Sequence, residues 1–196
     1  MKDETKKNRH EAIRDAAYTI LSEKGYDGAS MLSIAKAAKA SNETLYRWYG
    51  NKRGLFERLV RDNTIEIERI LNSAITTQDA PVQTLEKFAP VFLAMILGER
   101  AILLNRAAAA DPTGELGAAI SAGGREVIQP LIENIIQAVA RDKGGNAKQL
   151  TTWFLGLLVG DLQIKRVIGV MPLPSQKEID ERAQSALNVF FKLTKP

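Results

Sequence analysis

SMLSIAKAAKASNETLYRWYGNKRGLF, residues 30 to 56, reads as two short helices joined by a tight turn and followed by the start of a longer helix. Ser30 has the side chain of an N-cap, whose hydroxyl accepts a backbone N–H of the first turn. After it, Met31, Ile34, Ala35 and Ala38 fall on one side of a helix. Ser41 offers a second N-cap, and Leu45, Trp48 and Tyr49 recur on one face of the next helix. The other face carries Asn42, Glu43, Tyr46 and Arg47. A helix anchored on one side and lined with hydrogen-bonding groups on the other is what the major groove of duplex DNA admits. By pattern the stretch is a helix-turn-helix, with its turn at Ala38-Lys39-Ala40.

The charge around it agrees. Residues 1 to 60 hold twelve Lys and Arg against eight Asp and Glu, and the remainder is balanced, so the net charge of +4 belongs to the first third. A basic segment joined to a neutral one points to polyanion binding at one end and a different task at the other. At 196 residues and 45% apolar content the chain can bury a sizeable core. It has no cysteine and one histidine, which excludes disulfides, thiolate metal sites, cysteine nucleophiles and a two-histidine metal centre. No nucleophile–base, metal-ligand or phosphate-loop constellation is present, so no enzyme and no cofactor are expected. No apolar run approaches the roughly 20 residues that span a bilayer, and MKDETKKNRH lacks the apolar region of a secretion signal. A cytoplasmic protein without membrane association is expected.

The rest of the chain is helical by pattern. Residues 1 to 8 read as a polar arm, in which Lys2, Lys6, Lys7 and Arg9 could reach DNA. Ile13, Ala16, Ala17, Ile20 and Leu21 stripe a first helix from Arg9 to about Lys24, with Gly25 as its stop. A fourth helix starts near Lys52 and runs to about Ala74. Beyond it come a helix marked by Leu85, Phe88, Phe92, Met95 and Ile96 with a kink or break at Pro90, a short one from Ala101 to Ala110, and a long one from Leu116 to Ala140. Gly123, Gly124 and Pro130 should disturb the last of these. Lys143-Gly144-Gly145 reads as a turn. Two final helices, about 147 to 168 and 176 to 193, follow, the second opened by Ser175 and Glu178 as a capping box. The expected fold is all-α: an N-terminal three-helix DNA-binding domain, 1–55, and a helical dimerisation and ligand-binding domain, 56–196.

GYDGASMLSIAKAAKASNETLYRWYGNKRGLFERLV strongly resembles the N-terminal domain of TetR-type (tetracycline-repressor-like) bacterial transcriptional regulators. The matching elements are G-Y-x-G, the I-A-x-x-A core and T-L-Y-x-x-Y-x-N-K-x-x-L-F. The likeness covers roughly residues 9 to 60; beyond Ile65 only the all-helical layout matches. It implies a homodimeric, small-molecule-responsive repressor that binds double-stranded operator DNA. It also implies that the Tyr46 hydroxyl and Lys52 meet the DNA backbone, that Ser41, Asn42, Glu43 and Thr44 meet base edges and neighbouring phosphates, and that Ser30 and Ser33 touch backbone from the supporting helix. Arg47 joins this set as a candidate contact. Two departures stand out: Lys39 takes the place of the usual turn glycine, and Leu32 lies where many relatives carry arginine or another polar base-reader. An architectural or ligand-independent DNA binder would share the head without needing a cavity.

Further expectations concern particular side chains. Trp48, on the Leu45 side, should pack in the core or at its rim. His10 should be exposed and without a special role. Phe88, Phe92, Met95 and Leu104 could line a ligand cavity, with Asn105 or Arg106 supplying polarity. The last two helices should pair with their symmetry mates, which makes Trp153, Gly156, Leu157, Gly160, Asp161, Ala183, Leu187 and Phe190 the interface candidates. Asp161, on the same side as Leu150, Phe154 and Leu157, would be costly there unless partnered.

Overall fold

A computed structural model describes residues 2–77, 80–140 and 146–194. Eleven α-helices and one π-helical turn account for the described elements: α1 Lys2–Gly28, α2 Met31–Ala37, α3 Asn42–Tyr49, α4 Lys52–Thr77, α5 Pro81–Leu97, α6 Glu99–Ala110, α7 Glu115–Ile120, the π turn Ser121–Arg125, α8 Glu126–Val139, α9 Ala147–Val159, α10 Leu162–Val167 and α11 Gln176–Thr194. Contacts divide them into two compact units, Met1–Asp62 with Leu103–Ile120, and Asn63–Ile102 with Ser121–Pro196. This differs from a single cut at 55/56. Leu104, Ala107, Leu116 and Ala119 are buried in the same core as Ile13, Leu45 and Phe56, which assigns 103–120 to the first unit.

The first unit is organised by caps. Ser30 Oγ accepts from Ser33 N at 3.1 Å while Ser33 Oγ accepts from Ser30 N at 3.1 Å, a reciprocal cap that starts α2. Ser41 Oγ accepts from Thr44 N at 3.1 Å and starts α3. The turn between them rests on Lys39, whose φ of 51° is the only positive value at a non-glycine residue among those described. A left-handed residue with a Cβ costs about 1–2 kcal/mol. Asn51 caps α4 by accepting from Gly54 N at 2.8 Å. The polar arm is absent as such: helix α1 begins at Lys2, and its stripe runs on to a bend at Gly25, where φ is 67° and one further turn follows.

The second unit is built around rings. Phe88, Phe154 and Phe190 are each fully buried, with Phe154 6.4 Å from Phe88 and 5.1 Å from Phe190. Burying one phenyl ring contributes about 1.5–3 kcal/mol, so this run from α5 through α9 to α11 accounts for much of the cohesion. Helix α5 continues through Pro90 without a break, and α8 through Pro130. The irregularity expected at Gly123 and Gly124 is the π turn, where Gly123 O accepts from the Thr64 hydroxyl at 3.2 Å. The Ser175–Glu178 capping box is formed, with Glu178 accepting from Ser175 N at 2.7 Å. The turn expected at 143–145 lies outside the described residues.

One expected helix is two. Gly160 adopts φ 51° and ends α9, so α10 starts afresh at Leu162. The helical register extrapolated from Leu150 and Phe154 does not reach Asp161. Its carboxylate is exposed and pairs with Lys165 at 2.7 Å, so the burial cost argued from the sequence does not arise. Arg166, one turn on, is the buried charge instead. It donates to Leu97 O at 3.0 Å and Met171 O at 3.2 Å, and pairs with Glu99 at 2.6 Å.

Candidate nucleic-acid interface

Helix α3 has two faces, and local sequence chemistry sets both. Leu45 is 0% exposed in the core of the first unit, and Trp48 and Tyr49 pack partly against the same core. Ser41, Asn42, Glu43, Tyr46 and Arg47 are exposed, with Tyr46 at 50%. Thr44 departs from expectation. It is 6% exposed, and its hydroxyl lies 2.8 Å from Ser41 Oγ, because a short hydroxyl three residues after an N-cap finds its partner inside the cap. Thr44 therefore closes the start of α3 and leaves the polar face to its neighbours.

The flanking elements add backbone donors and cations. Ser30 and Ser33 stand at the N-terminus of α2 with their side chains engaged in capping, Ser30 exposed and Ser33 half-buried. Lys36 and Lys39 are exposed beside them. Leu32 is 52% exposed on α2 although Met31, Ile34 and Ala35 around it are buried, so an apolar side chain stands among polar ones. At base edges such a side chain complements only the thymine methyl.

Lys52 is more deeply engaged than the sequence indicated. Its ammonium donates to Tyr26 O at 2.9 Å and Ala29 O at 3.2 Å, and stands 4.2 Å from the centre of the Tyr26 ring. It ties the start of α4 to the end of α1, and two of its three donors are used in doing so. The third can serve an anion at the N-terminus of α4, where the helix dipole favours one. The Tyr26 hydroxyl is held above its ordinary pKa by burial and by the nearby Asp111 carboxylate, so it stays neutral. Arg53 is committed elsewhere, to Glu57 at 3.0 Å and Glu115 at 2.9 Å.

The other candidate sets fare differently. The six pocket candidates divide between the two units. Phe88, Phe92 and Met95 belong to the second unit, where Phe88 stacks on Phe92 at 5.0 Å and Met95 Sδ accepts from Asn63 at 3.1 Å. Leu104 is buried in the core of the first unit, and Asn105 and Arg106 follow it there. Arg106 borders a cavity of about 400 Å³ in the first unit, together with Leu21, Lys24, Tyr26 and Leu103. Among the dimer candidates, Trp153 is 47% exposed, Gly156 and Gly160 are exposed and Leu157 is half-buried. Ala183, Leu187 and Phe190 are not on an open face: all three fill the core of their own unit. The open apolar side chains of α11 are Val189 and Leu193.

A short capped helix with a buried anchor and an exposed polar face, next to a second helix N-terminus, defines a helix-turn-helix DNA-binding protein. Residues 13–59 match the model for bacterial regulatory proteins of the tetR family, and residues 83–193 that for the C-terminal domain of AefR-like transcriptional repressors. The chain belongs to the TetR family of transcriptional regulators, and is a DNA-binding repressor by type and no enzyme. Over 43 residues it is 49% identical to the uncharacterized HTH-type regulator YdeS of Bacillus subtilis, a match that spans 22% of each chain. Over 174 residues it is 25% identical to the uncharacterized HTH-type regulator MT1294 of Mycobacterium tuberculosis, covering 89% of this chain and 80% of that one. A putative TetR-family regulator from Mesorhizobium loti superposes with a TM-score of 0.76 at 24% identity, over 94% of this chain and 96% of that chain.

Proposed function

We propose that the protein is a cytoplasmic, homodimeric, effector-responsive repressor that reads a palindromic operator with α3. The carrying observation is the exposure of Asn42, Glu43, Tyr46 and Arg47 on a helix whose Leu45 is fully buried. Ser41 and these four residues face base edges and adjoining phosphates, while Ser30, Ser33 and Lys52 hold backbone. Twofold pairing presents two such helices to major grooves about 34–36 Å apart or a multiple of that spacing. Apolar side chains left open on α9 and α11, Trp153, Val189 and Leu193, with the small Gly156 and Gly160 beside them, favour these helices as the dimer face. Among the described residues no single helix is long and apolar enough to cross a membrane. Fluorescence anisotropy on duplexes from the gene's own upstream region, with sedimentation of the free protein, tests the reading. A monomer, or equal affinity for operator and scrambled duplex, defeats it.

Lys52→Ala separates two roles. A phosphate contact predicts uniformly weaker binding to all sequences and a salt slope lower by about one unit. A loss of thermal stability with the slope unchanged means that Lys52 serves only to tie α4 to the end of α1.

Induction follows by linkage. An effector that binds better to the DNA-free form lowers operator affinity by the same coupling energy, typically about 1–3 kcal/mol. Helix α4 is one continuous helix, contributing Leu55 and Phe56 to one core and Ile67 and Leu71 to the other, which favours it as the lever. In the second unit, the Thr151 hydroxyl is buried with no hydrogen-bond partner among the described residues. Such a group costs about 1–3 kcal/mol, and a polar atom on an otherwise apolar effector would relieve it. Thr151→Val is expected to raise the stability of the free protein by about 1 kcal/mol and to weaken the response to effectors that release DNA. Unchanged stability and response, measured by thermal melting and effector titration, would remove Thr151 from the site.

A further inference from the structure

His10, the only histidine of the chain, is not the exposed side chain expected from the sequence. Its side chain is 19% exposed and that of Asp62 only 8%. Nε2 lies 2.5 Å from Asp62 Oδ2, and Nδ1 lies 2.6 Å from the Tyr49 hydroxyl oxygen. A carboxylate only accepts, so the neutral imidazole keeps its proton on Nε2 and donates it to Asp62, while Nδ1 accepts from Tyr49 O–H. The phenol has the proton to give: burial, reinforced by the Asp62 charge and opposed by Arg58, pushes its pKa up to about 12. Asp62 Oδ1 accepts in turn from Arg58 Nε at 2.7 Å. Both imidazole nitrogens and both carboxylate oxygens are thus used in one run that links α3, α1 and α4.

Its place in the fold gives that run a consequence. Tyr49 is the last residue of α3, and Tyr46 lies one turn before it. Apolar packing holds the middle of this short helix through the fully buried Leu45, but Trp48 and Tyr49 at its end are only partly buried. A hydrogen bond has a direction, and at that end it fixes the rotation of the helix about its axis. With side-chain tips about 5–6 Å from the axis, a rotation of about 20° moves them by about 2 Å, enough to undo a base contact.

We propose that His10 is a positioning residue for operator recognition: by bridging Tyr49 to Asp62 it sets the rotation of α3 without itself touching DNA. The proposal rests on α3 being the reading helix. Full-length wild type, His10→Ala, His10→Gln, Tyr49→Phe and the His10→Ala/Tyr49→Phe double variant are compared on the operator duplex and on a scrambled duplex across a salt series. Expected for His10→Ala is a roughly tenfold loss of operator affinity, with scrambled-duplex affinity and salt slope unchanged. Tyr49→Phe, which keeps the ring, reproduces that loss, and the double variant is no weaker than either single one. Glutamine offers one donor and one acceptor, so His10→Gln recovers most of the affinity. A lower salt slope in His10→Ala overturns the proposal in favour of a direct phosphate contact. Additive losses, or full operator affinity in a folded His10→Ala or Tyr49→Phe protein, overturn it as well. Equal wild-type affinity for the two duplexes removes the reading-helix assignment, and the proposal with it. Discrimination that is undiminished from wild type in every variant removes the proposal alone.

Discussion

Gly54→Ala is expected to destabilise the first unit by about 1–3 kcal/mol and to reduce operator affinity by roughly tenfold or more at temperatures where the protein is still folded. A Cβ at position 54 would lie 2.0 Å from the Tyr49 carbonyl oxygen and 3.2 Å from its carbon, and both are backbone atoms that no rotamer change can move. The corner between α3 and α4 has little slack. Gly50 turns it with φ 74°, and Asn51 closes it by accepting from Gly54 N. The added methyl must therefore push the last turn of α3 away from α4, at the residue whose side chain meets His10. Gly117→Ala in α7 is the matched control, because nothing lies within 4 Å of a Cβ there. Exchanging a helical glycine for alanine should stabilise by about 0.5–1 kcal/mol. Thermal melting with operator titration checks the pair, and equal behaviour of the two variants would refute the packing at the corner.

Phe154→Ala is expected to cost about 3–5 kcal/mol. The ring is fully buried between Phe88 and Phe190, and its removal deprives two other rings of a neighbour at once. Phe92→Ala, at a partly buried ring stacked only on Phe88 within α5, should cost clearly less. Denaturant unfolding measures both, and the order of the two losses is the test. If Phe92→Ala were the more damaging, the ring run would not be the centre of the second unit.

The sequence was most informative where structure is local. Ser30, Ser41, Ser175 and Glu178 announce caps within four residues of themselves, and Leu45 names the buried side of α3 by its spacing alone, so the helix-turn-helix and its polar face could be read directly. The failures involve contacts made from far along the chain. His10 meets partners 39 and 52 residues away, and Arg166 meets Leu97 and Glu99 across 69 and 67 residues. No periodicity encodes such pairs. Asp161 was misplaced because a helical wheel was carried across Gly160, whose backbone leaves the helix. Ala183, Leu187 and Phe190 show a different ambiguity: an apolar stripe demands a partner surface but does not say whether it lies in the same chain or another. The pocket candidates divide between two cores for a related reason, since helical spacing groups residues along one element and does not say which core each will join.

Lys39 also bears on how far the turn can vary. Of the twenty side chains, glycine meets its left-handed backbone without strain, asparagine and aspartate come next, and valine, isoleucine and threonine are the worst suited. The position is therefore narrow on the side of shape and open on the side of charge. A lineage can exchange lysine for glycine and relieve the turn at the loss of an exposed cation, whereas branching at the β-carbon closes the route altogether.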